Sequence, residues 1–258
     1  MTTLLRVEGL RKAYRGVVAL DGVSLDVAQG SITGLVGPNG SGKTTLFDCV
    51  TGFQPKDAGE VWLGERRISQ LDAAAIARAG LRRTFQQLRV FPVLTVAENL
   101  LTAAQAHDGA GLARELLRTP TVRRADRAAA ARAAALLEEL GLAAQRDQPA
   151  GLLSYGQKKL VELAMAFMVA PRLVLLDEPV AGVNPTLIEA IKRHIRARRD
   201  HGITFFVIEH NLRLVFELCD EVIVLDRGSV LTRGDGAQVA HDPRVIAAYF
   251  GTRGQAGA

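Results

Sequence analysis

Ile32-Thr33-Gly34-Leu35-Val36-Gly37-Pro38-Asn39-Gly40-Ser41-Gly42-Lys43-Thr44-Thr45 sets a short apolar run against a glycine-rich turn. Residues 37–44 fill the pattern G-x-x-x-x-G-K-[ST], directly after an apolar strand and directly before a helical segment, which is the context the motif requires. The glycines let the backbone curl so that successive N–H groups point inward at phosphate oxygens, and the start of the helix adds its positive dipole end. Gly37, Pro38, Asn39, Gly40, Ser41, Gly42, Lys43, Thr44 and Thr45 are therefore expected to bind the phosphates of a nucleotide. Lys43 would reach the β and γ phosphates, and Thr44 would offer its hydroxyl to Mg²⁺. A glycine-rich turn that matched by accident would have no reason to carry a strand before it and a helix after it.

A phosphate loop alone leaves kinases, GTPases, helicases and transporters open. The acidic partner narrows the field. Leu173-Val174-Leu175-Leu176-Asp177-Glu178-Pro179 is an apolar strand ending in two adjacent carboxylates. The strand delivers Asp177 beside the Mg²⁺, while Glu178 lies one residue on, where it can polarise an attacking water. By itself the segment could be an ordinary strand with an acidic turn; the upstream loop is what gives it a role.

Outward from these two segments the pattern changes three times. Leu4 to Val7, Val23 to Val27, Ile32 to Val36 and, later, Val61 to Leu63 read as short strands, which suggests an antiparallel sheet flanking the core. Between Thr95 and Leu140 the chain is rich in alanine and leucine at helical spacing, with Pro120 and Gly141 as breaks, and reads as an inserted helical subdomain. Beyond it, Leu173 to Leu176 and Ile203 to Ile208 are continuous apolar runs separated by a helical stretch from Pro185 to Arg199. Strands apolar on both faces imply a parallel sheet covered by helices on each side. The expected class is α/β: a phosphate-loop nucleotidase core with a mostly parallel sheet, a flanking antiparallel β part and an inserted α-helical part. The nucleotide-binding domain is expected over 1–250, its core and antiparallel parts over 1–86 and 160–250, its helical part over 87–159, and a frayed small-residue tail over 251–258.

Composition agrees with a single large domain. Of the 258 residues, 48% are apolar, enough for a buried core, so disorder is excluded as the default. The window from Leu160 to Leu176 is interrupted by Glu162, Pro171 and Arg172 and is shorter than the ~20 residues a bilayer requires. It reads as a buried helix followed by a buried strand. The amino terminus lacks the basic and apolar pattern of a secretory leader, so a cytoplasmic chain is expected. Cys49 and Cys219 have no Cys or His at metal-ligand spacing and read as small buried hydrophobes. The net charge of +5 is spread along the chain. Its densest basic region, Arg114 to Arg132, carries the alanine interleaving of an amphipathic surface helix, so no nucleic-acid partner is expected.

Leu153-Ser154-Tyr155-Gly156-Gln157, some twenty residues before the acidic strand, resembles the signature sequence of the ATP-binding cassette family. Ser is also a favoured helix cap, so these residues alone would be an ambiguous signal. Four further elements match that family in order. Gln86 resembles the Q-loop glutamine that touches Mg²⁺ or the lytic water. His210 resembles the switch histidine at the γ-phosphate. Ala181-Gly182-Val183-Asn184-Pro185 resembles the D-loop that crosses between subunits, and Tyr14 the aromatic that stacks on adenine. The match spans residues 3 to 250. Tyr155, Met165 and Asn184 depart from the usual glycine, arginine and aspartate of those motifs.

What the resemblance implies is an ATPase subunit with ATP and Mg²⁺ as its nucleotide and metal. Glu178, His210 and Gln86 would be catalytic, and Thr44, Gln86 and Asp177 would face the metal. Ser154, Gly156 and Gln157 would contact nucleotide held by a second ATPase subunit, whether an identical chain or a sister chain. Two membrane permeases, a solute-binding protein and a place on the cytoplasmic face of the inner membrane are implied as well. The signature, the D-loop, Ile208-Glu209-His210-Asn211 and the ending Val245 to Gly251 are similar to ATPases that import branched-chain or other hydrophobic amino acids. The ATPase of lipopolysaccharide export shares the asparagine after the histidine and a similar D-loop. Soluble relatives in translation usually carry two cassettes, and those in DNA repair carry inserted coiled coils or zinc modules; this sequence has neither. A phosphotransferase with the same loop would leave Ser154, Gln86 and His210 unexplained.

Overall fold

The computed structural model describes residues 2–84, 89–104 and 120–250. The chain divides into two compact units, Met1–Arg83 with Pro171–Pro179 and Ile195–Ala258, and Thr84–Ala170 with Val180–His194.

The first unit opens with β1 (Thr3–Tyr14) and β2 (Val17–Ala28), followed by β3 (Ile32–Val36), α1 (Lys43–Val50), β4 (Ala58–Leu63), β5 (Arg66–Arg67), α2 (Ala73–Arg78) and β6 (Leu81–Arg83). After the inserted segment come β7 (Leu173–Asp177), β8 (Thr204–Ile208), α7 (Leu212–Leu218), β9 (Glu221–Asp226), β10 (Ser229–Gly234), α8 (Gly236–Ala240) and α9 (Pro243–Phe250). Two sheets result. One is antiparallel, in the order β2-β1-β4-β5; the other has the order β10-β9-β3-β8-β7-β6 and is parallel throughout except for the β9–β10 pair.

The sequence pattern set Ile32–Val36 among the flanking antiparallel strands. It lies instead inside the parallel sheet, between β8 and β9. The reason is burial: all five residues of β3 are buried, as are all five of β7 and of β8. A strand with no solvent face must be covered on both sides, which the interior of a parallel sheet provides. β1, by contrast, alternates for much of its length between buried and exposed positions, as a strand with one wet face does.

The core runs between the two sheets through α1. Leu46 and Phe47 of α1, Leu5, Leu10, Leu63, Phe206 and Leu225 belong to one buried cluster, and the Phe47 and Phe206 rings lie 5.1 Å apart at their centroids. Burial of each such side chain contributes about 1.5–3 kcal/mol, so the helix that follows the glycine-rich turn is held by packing rather than by its own propensity.

In the second unit, α3 (Val96–Ala104), α4 (Pro120–Glu139) and α5 (Tyr155–Phe167) pack through buried Val96, Leu100, Leu136, Leu137, Leu160 and Leu163. Pro120 opens its helix, where a missing N–H costs nothing. Thr95 and Glu98 cap α3 reciprocally: the Glu98 amide donates to Thr95 Oγ1 at 3.1 Å and the Thr95 amide to Glu98 Oε2 at 2.8 Å. Buried Asn99 accepts from the Phe91 amide at 2.7 Å and donates to the Phe91 and Thr95 carbonyls, fixing the loop ahead of the helix.

The helix expected from Pro185 is α6 (Pro185–Asp200). Asn184 caps it, accepting from the Leu187 amide at 3.0 Å, so asparagine at this D-loop position performs a capping task that aspartate would also perform. Cys49 is buried and burial raises its thiol to about 11; Cys219 is partly buried, with its thiol raised to about 12 by the same cause. Both are held as neutral thiols, as expected of packing residues. Among the described residues no helix is long and apolar enough to cross a membrane. The expected tail over 251–258, Gln86, and the part of the basic segment from Arg114 to 119 lie outside the described residues.

Candidate functional site

Three parallel strands of the first unit end in one row. Leu35 of β3 pairs with Ile208 of β8, and Ile208 pairs with Asp177 of β7, so the residues that follow each strand emerge side by side. Those residues are the glycine-rich turn, Asp177-Glu178 and Glu209-His210. Loops at the carboxyl ends of parallel strands are where α/β sheets hold their ligands.

The turn is built by close approach. A side chain at Gly37 would place its Cβ 2.1 Å from the Leu225 carbonyl oxygen, and Gly42, at φ 105°, caps α1 with a conformation that other residues rarely adopt. Lys43, the first residue of α1, is turned back over this loop. Its Nζ donates to the Gly37 carbonyl at 2.8 Å, to the Pro38 carbonyl at 3.0 Å and, more weakly, to Ser41 Oγ at 3.4 Å. Burial lowers its pKa, opposed by the negative charges of Glu178 and Asp177. A desolvated ammonium bonded to carbonyl dipoles is a charge prepared for an anion stronger than a carbonyl.

Asp177 ends β7 almost fully buried. Burial raises its pKa, and the Arg83 guanidinium, whose Nη2 donates to Asp177 Oδ2 at 2.9 Å, works in the opposite direction. Glu178 adopts φ 50°, a left-handed conformation uncommon for a glutamate, with its amide held by the Ile208 carbonyl at 3.0 Å. Such outliers cost of order 1–3 kcal/mol and persist where the surroundings impose them, frequently at functional sites. The Glu178 side chain meets His210, whose Nε2 lies 2.8 Å from Glu178 Oε1. The His210 amide donates to Glu209 Oε2 at 3.2 Å, and Asn211 caps α7 by accepting from the Leu214 amide.

Lys43, Ser41, Asp177, Glu178 and His210 are thus gathered in the first unit. Thr44 and Thr45 follow Lys43 in the first turn of α1. Tyr14 stands at the end of β1, 39% exposed, with Lys12 Nζ 5.2 Å from its ring centroid. Ser154, Gly156 and Gln157 belong to the second unit. Ser154 does cap α5: its Oγ accepts from the Gln157 amide at 3.3 Å, and Gln157 Oε1 accepts from the Ser154 amide at 2.9 Å. Gly156 is pressed against α6, where an added Cβ would meet Leu187 Cδ2 at 2.5 Å, and Tyr155 lies over Gly182.

Oxygen donors dominate the neighbourhood of Lys43. A hydroxyl on α1 and a carboxylate at the end of β7 are the hard donors that Mg²⁺ takes alongside phosphate oxygens, and among the described residues there is no cluster of three or more His, Cys, Asp or Glu that would hold a metal without them. Sequence reading missed Arg83. In the sequence it looks like any surface arginine, and the one signal was its place directly before Thr84-Phe85-Gln86.

The family model described as "ABC transporter" matches residues 20–181. The chain is 39% identical, over 249 residues, to the high-affinity branched-chain amino acid transport ATP-binding protein BraF of Pseudomonas aeruginosa, covering 96% of this chain and 98% of the relative. It is 37% identical to the lipopolysaccharide export system ATP-binding protein LptB of Acidithiobacillus ferridurans, over 99% of this chain and all of the relative. Among solved structures, an ATP-binding cassette of an ABC transporter in its ADP conformation superposes with a TM-score of 0.84 at 35% identity, covering 97% of this chain and 100% of that one. A turn cradling a buried lysine, a strand ending in two carboxylates and a likeness of that extent have one reading: the chain belongs to the ATP-binding cassette transporter family, as an ATP-hydrolysing subunit.

Proposed function

We propose that the chain powers the uptake of branched-chain or other hydrophobic amino acids, working as one of a pair of ATPase subunits on the cytoplasmic face of the inner membrane. The pair is either two identical chains or this chain with a sister ATPase. It would drive two permeases supplied by an extracytoplasmic solute-binding protein. The observation that carries the enzymatic part is the Glu178–His210 contact beside the phosphate loop. The amino-acid assignment is supported by identity to transport proteins of that class along nearly the whole chain.

In this reading Lys43 exchanges the Gly37 and Pro38 carbonyls for the β and γ phosphates, and the amides of residues 37–45 close around them. Mg²⁺, when bound, would neutralise charge on the phosphates, and Thr44, Asp177 and Gln86 are the residues that would hold it. Tyr14 stacks on the adenine. Glu178 accepts a proton from the water that attacks the γ-phosphorus as the bond to the β–γ bridging oxygen breaks, leaving ADP and inorganic phosphate. His210 keeps the Glu178 carboxylate turned toward that water. Ser154, Gly156 and Gln157 of one subunit approach the γ-phosphate bound by the other, presenting a hydroxyl and helix-start amides to an anion. Two nucleotides then hold the pair closed, and hydrolysis releases it.

The likeness to the lipopolysaccharide-export ATPase favours export as the second reading. Reconstitution decides between them. ATPase activity of the chain, assembled with its own permeases in liposomes, should rise several-fold with a branched-chain amino acid and its binding protein. A rise with lipopolysaccharide and none with any amino acid would replace uptake by export.

A further inference from the structure

Arg83 closes β6 with only 5% of its side chain exposed, and it is bonded to two carboxylates on different elements. Nη2 donates to Asp177 Oδ2 at 2.9 Å, and Nη1 donates to Asp48 Oδ1 of α1, with Thr51 Oγ1 3.4 Å away. The guanidinium carbon lies 5.7 Å from the centroid of the Phe47 ring, which is itself fully buried, so the arginine is packed from below. The elements joined in this way carry two of the three residues proposed above to hold Mg²⁺: Thr44 stands on α1 and Asp177 ends β7.

A carboxylate at a strand end turns broadly about its last torsion. An ion shared between a hydroxyl on one element and a carboxylate on another is held well only if both are set at one spacing, because Mg²⁺ demands nearly octahedral geometry. We propose that Arg83 is a positioning residue for ATP hydrolysis: by tying Asp177 to Asp48 it sets the orientation and spacing in which Asp177 and Thr44 meet the Mg²⁺ of the bound nucleotide. The planar guanidinium can do this because it presents two separate N–H donors in fixed directions, whereas an ammonium is a single point charge.

The inference rests on the reading of Asp177 as a metal-facing carboxylate, and the test separates the two. Binding of trinitrophenyl-ATP to the full chain is followed by fluorescence, first in EDTA and then across a magnesium chloride titration. Groups that orient a metal-facing residue typically change metal affinity 10- to 100-fold, so Arg83→Gln should raise the half-saturating magnesium concentration by roughly that factor. Affinity for the metal-free nucleotide should stay within about threefold of the parent, a change of less than 0.7 kcal/mol. Arg83→Lys should fall between the two. Asp48→Asn, an isosteric change at a residue 27% exposed, should shift the magnesium dependence in the same direction while leaving the guanidinium in place.

Magnesium titrations of Arg83→Gln and Asp48→Asn that overlay the parent's, with a lowered melting temperature alone, would overturn the proposal and leave Arg83 as a tie between α1 and β7. If Arg83→Gln does not fold, Asp48→Asn decides by the same criterion. Asp177→Asn is measured alongside. Loss of magnesium dependence in Asp177→Asn with none in the other variants sinks this inference alone; no effect of Asp177→Asn sinks the reading beneath it.

Discussion

Exchanging Glu178 for Gln should leave MgATP binding within about threefold of the parent while turnover falls by roughly 10²- to 10⁴-fold, the range in which a positioned general base contributes. The two side chains are nearly equal in size, and the bond from the Glu178 amide to the β8 carbonyl of Ile208 is made by the backbone and survives the exchange. The amide can still meet His210 Nε2 but cannot take a proton from water. Quench-flow measurement of the phosphate formed in a single turnover of the preformed complex isolates the chemical step. A variant that hydrolyses at the parental rate would remove Glu178 from that role, and the Glu178–His210 pair would then be structural.

Lys43→Ala should act on the other half of the cycle. The ammonium is bonded to carbonyl oxygens, and burial lowers its pKa against the opposing charges of Glu178 and Asp177, so phosphate oxygens would give it stronger partners than the carbonyls do. Removing one partner of a desolvated charged contact costs about 3–5 kcal/mol, which is roughly 10²- to 10³-fold or more in affinity for MgATP. Isothermal titration calorimetry reads this directly. The fold should survive, because the carbonyls of Gly37 and Pro38 can turn to water once the lysine is gone. Affinity within threefold of the parent would mean that the backbone amides alone hold the phosphates.

Most of this site is legible in the sequence because its parts are local. The phosphate loop is one unbroken stretch, and β7 and β8 announce themselves through the continuous apolar runs Leu173 to Leu176 and Ile203 to Ile208, since both strands are buried on each face. Asp177 and Glu178 are adjacent, so a pair of carboxylates at one strand end can be read directly from the chain, and the different roles proposed for them rest on the two side chains leaving that end in different directions. The flanking strands are less legible. β1 and β2 run for twelve residues each, yet register shifts between Thr3 and Leu5 and between Val7 and Ala13 break the alternation, and only the apolar fragments stand out. The same local rule misplaced Ile32–Val36, since a short apolar strand does not say which sheet covers it. Arg83 was illegible for a different reason. Its partners stand 35 and 94 positions away along the chain, and a charged residue ties elements together only when the fold brings its carboxylates to it. Ser154 was ambiguous between a helix cap and a nucleotide contact; in the structure it caps α5, and a hydroxyl that caps a helix already faces the end where anions bind.

In the function proposed here, each reaction centre is shared between two ATPase subunits. Sedimentation equilibrium of the Glu178→Gln chain tests it most directly, because the variant should bind MgATP without consuming it. The chain should sediment as a monomer without nucleotide and at twice that mass with MgATP, and should return to the monomer when Ser154→Arg is added to the same chain, with nucleotide still bound. If the Glu178→Gln chain stays monomeric with MgATP bound, alone and mixed with a sister ATPase, or if the Ser154→Arg chain pairs just as readily, the shared centre is contradicted.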